Sequence, residues 1–396
     1  MSAPWRRGRA LITVRPMRRT RDEPEHDAFR EMVRAFVARE VVPFHGDWER
    51  AGVVDRSLWL EAGKQGLLGT DVPEAYGGGG VHDFRYNCVI GEELTRVGAS
   101  GVGFTLHNDV VAPYLLGLTT DAQKHRWLPR FVTGEMITAI AMSEPGAGSD
   151  LQGLTTTARR HGSDWLLSGS KTFITNGITA DLVLVVARTD PAAGAHGFSL
   201  LAVERGMAGF ERGRNLDKVG LKAQDTAELF FDEVRVPADN LVGIEGGGFV
   251  HLMNALPQER LSIAVGAVAG ARQVFDLTLA YCKGRTAFGK PIGSFQHNRF
   301  LLAEMETEIS VAEQFVDRAV LEHNAGRFDV KDAAMAKWWT TELQKRVVDK
   351  CVQLHGGYGY MLEYPVAKAF LDTRVQTIYG GTTEVMKEII GRSLGV

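Results

Sequence analysis

The sequence predicts an α+β protein in which an N-terminal helical domain, a central antiparallel β domain and a C-terminal helical bundle follow one another. Apolar residues recur at helical spacing in the first region, at strand spacing in the second, and again at helical spacing in the third. The chain has 396 residues, which is too many for one ordinary hydrophobic core. We therefore expect domains over residues 17–136, 137–242 and 243–396.

The composition is typical of a soluble globular protein, with 44% hydrophobic and 23% charged residues. Because 45 basic residues face 48 acidic ones, the net charge of −3 does not favour nucleic acid or an anionic membrane as a partner. No apolar run approaches the ~20 residues that cross a bilayer. The three cysteines, Cys88, Cys282 and Cys351, are far apart and fit buried thiols in a reducing compartment.

The first 21 residues contain seven arginines and no acidic residue. Transit peptides share these features but are usually rich in serine, and this stretch has one serine. We therefore predict a disordered leader over residues 1–16, with Met17 as the real start and the bacterial cytosol as the compartment. The alternative is a genuine import signal and a location in the mitochondrial matrix.

The N-terminal region contains two clear helical segments separated by a loop. In DAFREMVRAFVAREVVP the apolar residues lie at helical spacing, and Pro43 is expected to end the helix. The glycines at 77–80 predict a loop. In TTDAQKHRWLPRFVTGE, Thr119 or Thr120 is expected to cap a short helix.

The central region consists of short β-branched and aromatic runs separated by turn residues. Because no helical segment intervenes, we expect these strands to be antiparallel, with a hairpin turn at residues 161–164. The predicted strands lie in MITAIAMSE, TTTARR, DWLLSGSKTFITNG, DLVLVVART, GFSLLAVE and AELFFDEVRVP.

The C-terminal region contains long helical segments joined by short loops, which is typical of a bundle. In FQHNRFLLAEMETEISVAEQFVDRAVLEH the apolar residues share one face. Gly266 and Gly270 are spaced to let another helix approach closely. Further helices are expected over 258–283, 331–354 and 364–376, and from 382 onward.

Two segments of the β domain resemble ligand-binding loops. In AMSEPGAGSD (141–150), Gly146 and Gly148 expose backbone N–H groups that suit an anionic or polar ligand, and a plain turn is the alternative. In KTFITNG (171–177), strand alternation places Phe173 and Thr175 on one face, where they suit a planar heteroaromatic ring. The alternative there is an ordinary half-buried strand.

Two segments of the bundle have a similar character. GRTAFGKPIGSFQ (284–296) presents Arg285 in a glycine-proline loop that suits a pyrophosphate, and QLHGGYGY (353–360) lets backbone approach a ligand. The sequence has no dinucleotide-binding G-x-G-x-x-G, no Walker loop, no H-E-x-x-H and no G-x-S-x-G motif. Its eleven histidines show no metal-ligand spacing, so we predict no metal site.

These four motifs, in this order on an α-β-α chain, resemble those of the acyl-CoA dehydrogenases, a flavin-dependent family of fatty-acid and amino-acid oxidation. The likeness covers about residues 17–396. It implies an N-terminal helical domain, a central β domain and a C-terminal four-helix bundle, assembled as a homotetramer with one FAD per subunit. It also implies an acyl-CoA substrate and electron-transfer flavoprotein as the electron acceptor.

The resemblance also implies groups of binding residues. Around the isoalloxazine ring and the substrate entry it implies Met142, Ser143, Gly148, Ser149, Phe173, Ile174 and Thr175. For the adenosine-diphosphate half of a neighbouring subunit's FAD it implies Arg285, Phe288, Phe295, Gln296, Gln353, Gly356 and Gly357. Thr382 and Glu384 are expected near the cofactor, and the expected substrate contacts are Ser149, Arg260, Tyr379 and Gly380. Phe173 departs from the tryptophan that many members carry, but it keeps an aromatic ring.

The most informative departure lies in IYGGTTE (378–384). Many family members carry the catalytic glutamate directly after this tyrosine, and here that position is Gly380. The long-chain and isovaleryl types instead place the base on a neighbouring helix, directly before an arginine, as Glu259 and Arg260 are placed in LPQERL. The resemblance therefore implies Glu259 as the base. The structural alternative is a glutamate that merely begins a helix after Pro257.

The reaction that the resemblance implies removes an α-proton from a thioester while a hydride leaves the β-carbon for flavin N5. Developing enolate charge on the thioester oxygen needs donors, and the family uses a flavin ribityl hydroxyl and the backbone N–H at position 380, which glycine retains. Two effects oppose each other at Glu259. Burial raises its pKa, whereas a helix N-terminus after Pro257 would favour the anion by ~0.3–1 kcal/mol. We expect burial to dominate.

Two other functions stay open at this point. One is a flavin oxidase or monooxygenase on the same fold, whose reduced flavin would be reoxidised rapidly by oxygen. The other is a non-catalytic acyl-CoA-binding protein, which the glycine at 380 suggests. The sequence does not decide the length or branching of the acyl chain.

Overall fold

The structure, a computed structural model, describes residues 19–396, so the predicted leader at 1–16 and the predicted start at Met17 lie outside the described residues. The described chain begins and ends with helices, and a β-sheet lies between them. This arrangement confirms the fold class predicted from the sequence.

The helices before the sheet pack around large apolar side chains such as Trp59 and Phe104. The first helix ends at Phe36 and continues as a wider π-helical turn over Val37–Val41, so the chain leaves α-helical geometry before Pro43. Thr120 caps the sixth helix by accepting the N–H of Gln123. The helices are α1 (Pro24–Phe36), α2 (His45–Ala51), α3 (Arg56–Lys64), α4 (Phe84–Arg96), α5 (Ala112–Leu118) and α6 (Asp121–Val132).

The described residues form one eight-stranded sheet in the order β6-β7-β3-β2-β4-β5-β8, with β1 pairing with β4. Strand β4 is apolar throughout because both of its faces are covered. Leu184 faces the N-terminal helices, and Val185 faces the other side of the sheet. The strands are β1 (Thr138–Ala141), β2 (Thr157–His161), β3 (Asp164–Thr175), β4 (Leu182–Arg188), β5 (Phe198–Glu204), β6 (Phe210–Asn215), β7 (Thr226–Val236) and β8 (Leu241–Val242).

The expectation of a purely antiparallel domain needs correction. Strand β1 runs parallel to β4, with Thr138 opposite Leu182, and β2 meets β4 in parallel at one residue pair. The β2–β3 hairpin lies between β1 and β4 in the sequence. The chain therefore reverses direction twice before β4, which runs in the same direction as β1. The other pairs in this sheet are antiparallel.

The helices after the sheet pack through α7, α8, α9 and α10 around a common core. Gly270 on α7 allows the close approach of α9, because a Cβ at that position would lie 2.3 Å from Nε2 of Gln344. The elements are α7 (Gly248–Gly284), β9 (Thr286–Ala287), β10 (Lys290–Pro291), α8 (Gln296–Asn324), α9 (Val330–His355), α10 (Pro365–Thr373) and α11 (Thr383–Ser393).

Helix α7 begins at Gly248, well before the predicted start at 258, and it contains Pro257 in its interior. The proline removes the N–H that would bond to the carbonyl of Met253, but the packing of a 37-residue helix outweighs this local loss. By length and composition alone α7 could cross a membrane. Half of its most apolar window is buried inside the protein, as in a core helix.

A buried ionic network joins the start of the described chain to the helices. Arg21 donates two hydrogen bonds to the carboxylate of Glu92 on α4, each at 3.0 Å, and Arg30 donates a third at 2.8 Å. Arg19 bridges Glu92 to Asp317 on α8. Burial alone would raise the pKa of Glu92, but these arginines hold it well below its usual range.

We predict that Glu92→Gln lowers the free energy of unfolding by about 3–5 kcal/mol at neutral pH, because it leaves buried arginines without their counter-charge. The difference from native protein should shrink as the pH falls below about 4, where the unfolded glutamate is protonated and the native anion loses its advantage. Chemical unfolding at several pH values measures both effects. The exposed Glu31→Gln is the control, and an equal effect of both substitutions would contradict the prediction.

Candidate active site

A cavity of about 2090 Å³ opens between the sheet, α7 and the segment that precedes α11. Ligand pockets usually measure about 300–1,000 Å³, so this cavity has room for more than one ligand. Both loops of the β domain that we singled out contribute to its wall, and so does the IYGGTTE segment. The predicted site residues that line it are Met142, Ser143, Gly148, Ser149, Phe173, Ile174, Thr175, Glu259, Arg260, Tyr379, Gly380, Thr382 and Glu384.

Glu259 lies in the interior of α7, faces this cavity and is only 6% exposed. Tyr114 of α5 donates its hydroxyl hydrogen to Oε1 of Glu259 at 3.0 Å. Burial raises the pKa of Glu259 to about 7, although the Tyr114 hydroxyl and the charge of Arg260 both favour the anion. Glu259 therefore exchanges a proton near neutral pH.

The expected helix N-terminus at Pro257 does not exist, so its dipole does not act on Glu259. The hydroxyl of Tyr114 provides the local stabilisation of the anion instead, and sequence reasoning missed this residue. A buried tyrosine in an apolar helix usually needs a hydrogen-bond partner, which is a signal that the segment APYLLG contains. The neighbouring sequence does not reveal which residue that partner is, because Glu259 lies 145 positions away.

Gly380 and Gly381 adopt left-handed backbone conformations, with φ of 64° and 99°. A Cβ at Gly380 would lie 2.5 Å from Cδ1 of Ile263 on α7. A glutamate at 380 would therefore be strained in its backbone and crowded by its neighbour. The carbonyl of Gly380 accepts a hydrogen bond from Nε of Arg260 at 3.2 Å, so Arg260 contacts this turn.

A buried ion pair supports the loop at 142–149. Nζ of Lys171 donates to Oε1 of Glu144 and to the carbonyl of Met142, both at 2.9 Å. Burial lowers the pKa of Lys171 to about 8. Glu144 also accepts backbone N–H groups from Thr155 and Thr156, and these bonds, with Lys171, outweigh burial and lower its pKa to about 2. We did not anticipate this pair from the sequence.

Phe173 lines the cavity and has an unusual backbone conformation. Its φ of 60° is rare for an aromatic residue, and it lies where the β3–β7 register shifts between Lys171 and Ile174. The residue is 70% exposed and shares the cavity wall with Thr175. An exposed ring held in a strained conformation is an arrangement that functional sites often contain.

The remaining predicted residues, Arg285, Phe288, Phe295, Gln296, Gln353, Gly356 and Gly357, do not line this cavity. They lie at the ends of α7 and α9 and at the start of α8. The Arg285 guanidinium lies 5.6 Å from the centre of the Tyr358 ring, which brings the loops after α7 and α9 together. Phe288 is 93% exposed and contacts Phe295 edge-on. This second group forms a surface, not part of the cavity, within one chain.

Sequence profiles of one family match nearly all of the described chain. The profile described as "Acyl-CoA dehydrogenase, N-terminal domain" matches residues 23–135. The corresponding "middle domain" profile matches 139–234, and the "C-terminal domain" profile matches 246–395.

Individual proteins give the same result. The chain is 53% identical to the long-chain specific acyl-CoA dehydrogenase, mitochondrial, of Mus musculus over 93% of this chain and 86% of that protein. It is 36% identical to the isovaleryl-CoA dehydrogenase, mitochondrial, of Solanum tuberosum over 92% and 89%. A crystal structure of an acyl-CoA dehydrogenase from Geobacillus kaustophilus superimposes with a TM-score of 0.93 at 52% identity, covering 95% of this chain and 99% of that one.

We predict that Tyr114→Phe raises the pKa of Glu259 further, by about 1–2 units, because it removes a hydrogen bond that favours the anion. Infrared difference titration of the carboxyl group, assigned with Glu259→Gln, measures the shift. Tyr360→Phe is the control, since Tyr360 is 83% exposed. An unchanged or lower pKa in Tyr114→Phe would show that the hydroxyl does not stabilise the anion.

Proposed function

Because the chain belongs to the acyl-CoA dehydrogenase family, whose members are flavin-dependent oxidoreductases, we propose that it converts an acyl-CoA thioester to a trans-2-enoyl-CoA with FAD as cofactor. The observation that carries this proposal is the Glu259 carboxyl, buried in the cavity wall with a pKa of about 7. A group with this pKa suits the removal of a proton at physiological pH.

In the proposed reaction Glu259 removes the α-proton of the thioester. Tyr114 holds Oε1, and Oε2 receives no hydrogen bond from the described residues, which leaves it available for the substrate. The pKa of Tyr114 is raised well above its usual value by burial and by Glu259, so the phenol stays protonated and keeps donating. This hydrogen bond fixes the direction from which the base approaches the α-carbon.

The thioester oxygen is proposed to bind at the turn of Gly380 and Gly381. The N–H of Gly380 forms no hydrogen bond with backbone or side-chain groups of the described residues, so it is available as a donor. The glycine at this position removes a side chain from the space in front of the base. Glu259 then occupies a role that many family members give to residue 380.

The cavity wall fits a flavin on three counts. The cavity is large enough for a flavin together with a substrate, and Phe173 presents an exposed ring. The wall is open at Gly148, where a Cβ would meet nothing within 4 Å. We propose that Phe173 and Thr175 flank the ring system and that Ser143 and Ser149 orient it, with Thr382 and Glu384 nearby. When bound, the flavin supplies the acceptor for the hydride from the β-carbon. The Glu259 carboxyl is shielded from bulk solvent, since the residue is only 6% exposed.

The second group of residues, around Arg285 and Tyr358, supports a contribution to the adenosine-diphosphate half of FAD in a neighbouring subunit. Within one chain this surface is separate from the cavity, so such a role requires an oligomer, and we propose the homotetramer typical of the family. Electron-transfer flavoprotein is the proposed electron acceptor. The compartment stays a prediction, since residues 1–16 lie outside the described part of the chain and the mouse relative is named a mitochondrial protein.

A long acyl chain is the substrate that the cavity favours. The cavity extends along α7 from Glu259 past Gly266 to Gly270, which at 1.5 Å per residue is about 16 Å. Gly91 of α4 lines the same cavity, and a Cβ at Gly266 would meet nothing within 4 Å, so these two glycines leave space for methylene groups. The mouse relative is named for long-chain specificity, which agrees with this proposal.

A non-catalytic acyl-CoA-binding function is the second candidate, and the glycine at 380 is the observation that favours it. Against it, burying a carboxyl group at neutral pH destabilises a protein, and a passive binder gains nothing from it. Loss of flavin absorbance on mixing with acyl-CoA distinguishes the candidates. An oxidase would differ from both by rapid reoxidation of the reduced flavin in air.

We predict that Glu259→Gln slows anaerobic flavin reduction by a long-chain acyl-CoA by about 10²–10⁴-fold, because the amide cannot accept the α-proton. Stopped-flow absorbance measures the rate. Asp109→Asn is the matched control, since Asp109 lines the same cavity and burial also raises its pKa to about 7. Comparable losses in both variants, or none in Glu259→Gln, would remove Glu259 from its proposed role.

A further inference from the structure

Two buried cations lie behind the Gly380–Gly381 turn. Lys337 of α9 is 0% exposed, and its Nζ donates to the carbonyl of Gly381 at 2.6 Å. Arg260 of α7 is 5% exposed, and its Nε donates to the carbonyl of Gly380 at 3.2 Å. Consecutive carbonyl groups of one turn are thus held by cations from two different helices.

Neither cation has a carboxylate partner at salt-bridge distance among the described residues. The charged groups that act on Lys337 are Arg260 on α7, Glu342 on α9 and Glu384 on α11, and burial together with Arg260 lowers its pKa to about 8. Glu342 is engaged elsewhere, by Lys345 and Thr383. A buried ammonium group without a counter-ion is destabilising, so packing alone does not explain this lysine.

The geometry of the peptide unit shows what these bonds do. In a trans peptide the C=O and the following N–H point in opposite directions. Drawing the carbonyls of Gly380 and Gly381 toward the bundle turns the N–H groups of Gly381 and Thr382 away from it. The N–H of Gly380, the proposed donor to the thioester oxygen, belongs to the preceding peptide unit, so the two bonds act on it by fixing the backbone of the turn. Lys337 does not line the cavity, so it acts through the turn and not on a ligand.

We propose that Lys337 is a positioning residue that, with Arg260, clamps the Gly380–Gly381 turn in the conformation that receives the thioester oxygen. The clamp holds two glycines at positive φ, a conformation that an unrestrained turn would leave readily. It also places two positive charges behind the point where enolate charge develops, as preorganised electrostatic stabilisation requires. This inference rests on the proposed dehydrogenase function.

The test compares Lys337→Met with the native holoenzyme. Methionine keeps the apolar stem and removes the ammonium group, so we expect an equal or higher melting temperature and unchanged FAD content. We expect kcat for acyl-CoA to fall about 10–100-fold while KM changes less than about threefold, because the clamp acts mainly on the transition state. Lys337→Arg, which keeps the charge, should recover part of the loss.

A spectroscopic measurement separates positioning from a structural role. The infrared stretch of an isotope-labelled thioester carbonyl in bound trans-2-enoyl-CoA reports the donors around it. We expect a smaller shift from the free value in Lys337→Met than in native protein. Lys350→Met, on the same helix with a side chain 30% exposed and paired with Glu304 on α8, is the control and should change neither kcat nor the stretch.

Three results would overturn the proposal. They are a kcat in Lys337→Met within about threefold of native, a loss of kcat that merely follows a loss of FAD or of melting temperature, and a carbonyl stretch identical to native. The stretch requires only a bound thioester. If native protein fails to reduce its flavin with any acyl-CoA, the proposed function fails, and the stretch still decides whether Lys337 positions the turn.

Discussion

The burial of the Glu259 carboxyl is the constraint on which the candidate site depends. A carboxylate in an apolar wall is unstable unless its surroundings compensate for the lost water. Here Tyr114 donates to one oxygen, and Arg260 lies next in sequence with its guanidinium engaged by the Gly380 carbonyl. This balance places the pKa of the Glu259 carboxyl at about 7, so the group is neither always an anion nor always protonated near neutral pH.

The base and the turn opposite it form one arrangement. With glycine at 380, no side chain occupies the space in front of Glu259, and Ile263 packs where a Cβ would otherwise lie. The turn then depends on contacts from outside, which Arg260 and Lys337 provide. Helix α7 therefore contributes the proposed base, one half of the proposed clamp and part of the cavity wall, so its continuation through Pro257 matters to all three.

The sequence predicted features that depend on periodicity or on a contiguous motif. The α-β-α order and most strands follow from apolar spacing. The family resemblance linked Glu259 with the missing catalytic glutamate at position 380, where this chain has glycine. The sequence did not predict pairs of residues that meet only in the folded chain, such as Tyr114 with Glu259 or Lys337 with Gly381. The proline rule failed at Pro257 because it describes a local preference, and tertiary packing overrode it. The parallel pairing of β1 depends on a long connection that local patterns do not specify.

The most direct test of the account is solvent exchange of the substrate's α-proton, since it isolates proton removal from the redox step. A saturated acyl-CoA with sulfur in place of the β-carbon binds without being oxidised, and mass spectrometry measures deuterium at its α-carbon in deuterated buffer. The account predicts rapid exchange with native protein and, with Glu259→Gln, exchange no faster than in free solution. Equal exchange with both proteins would contradict it, because a group other than Glu259 would then remove the proton.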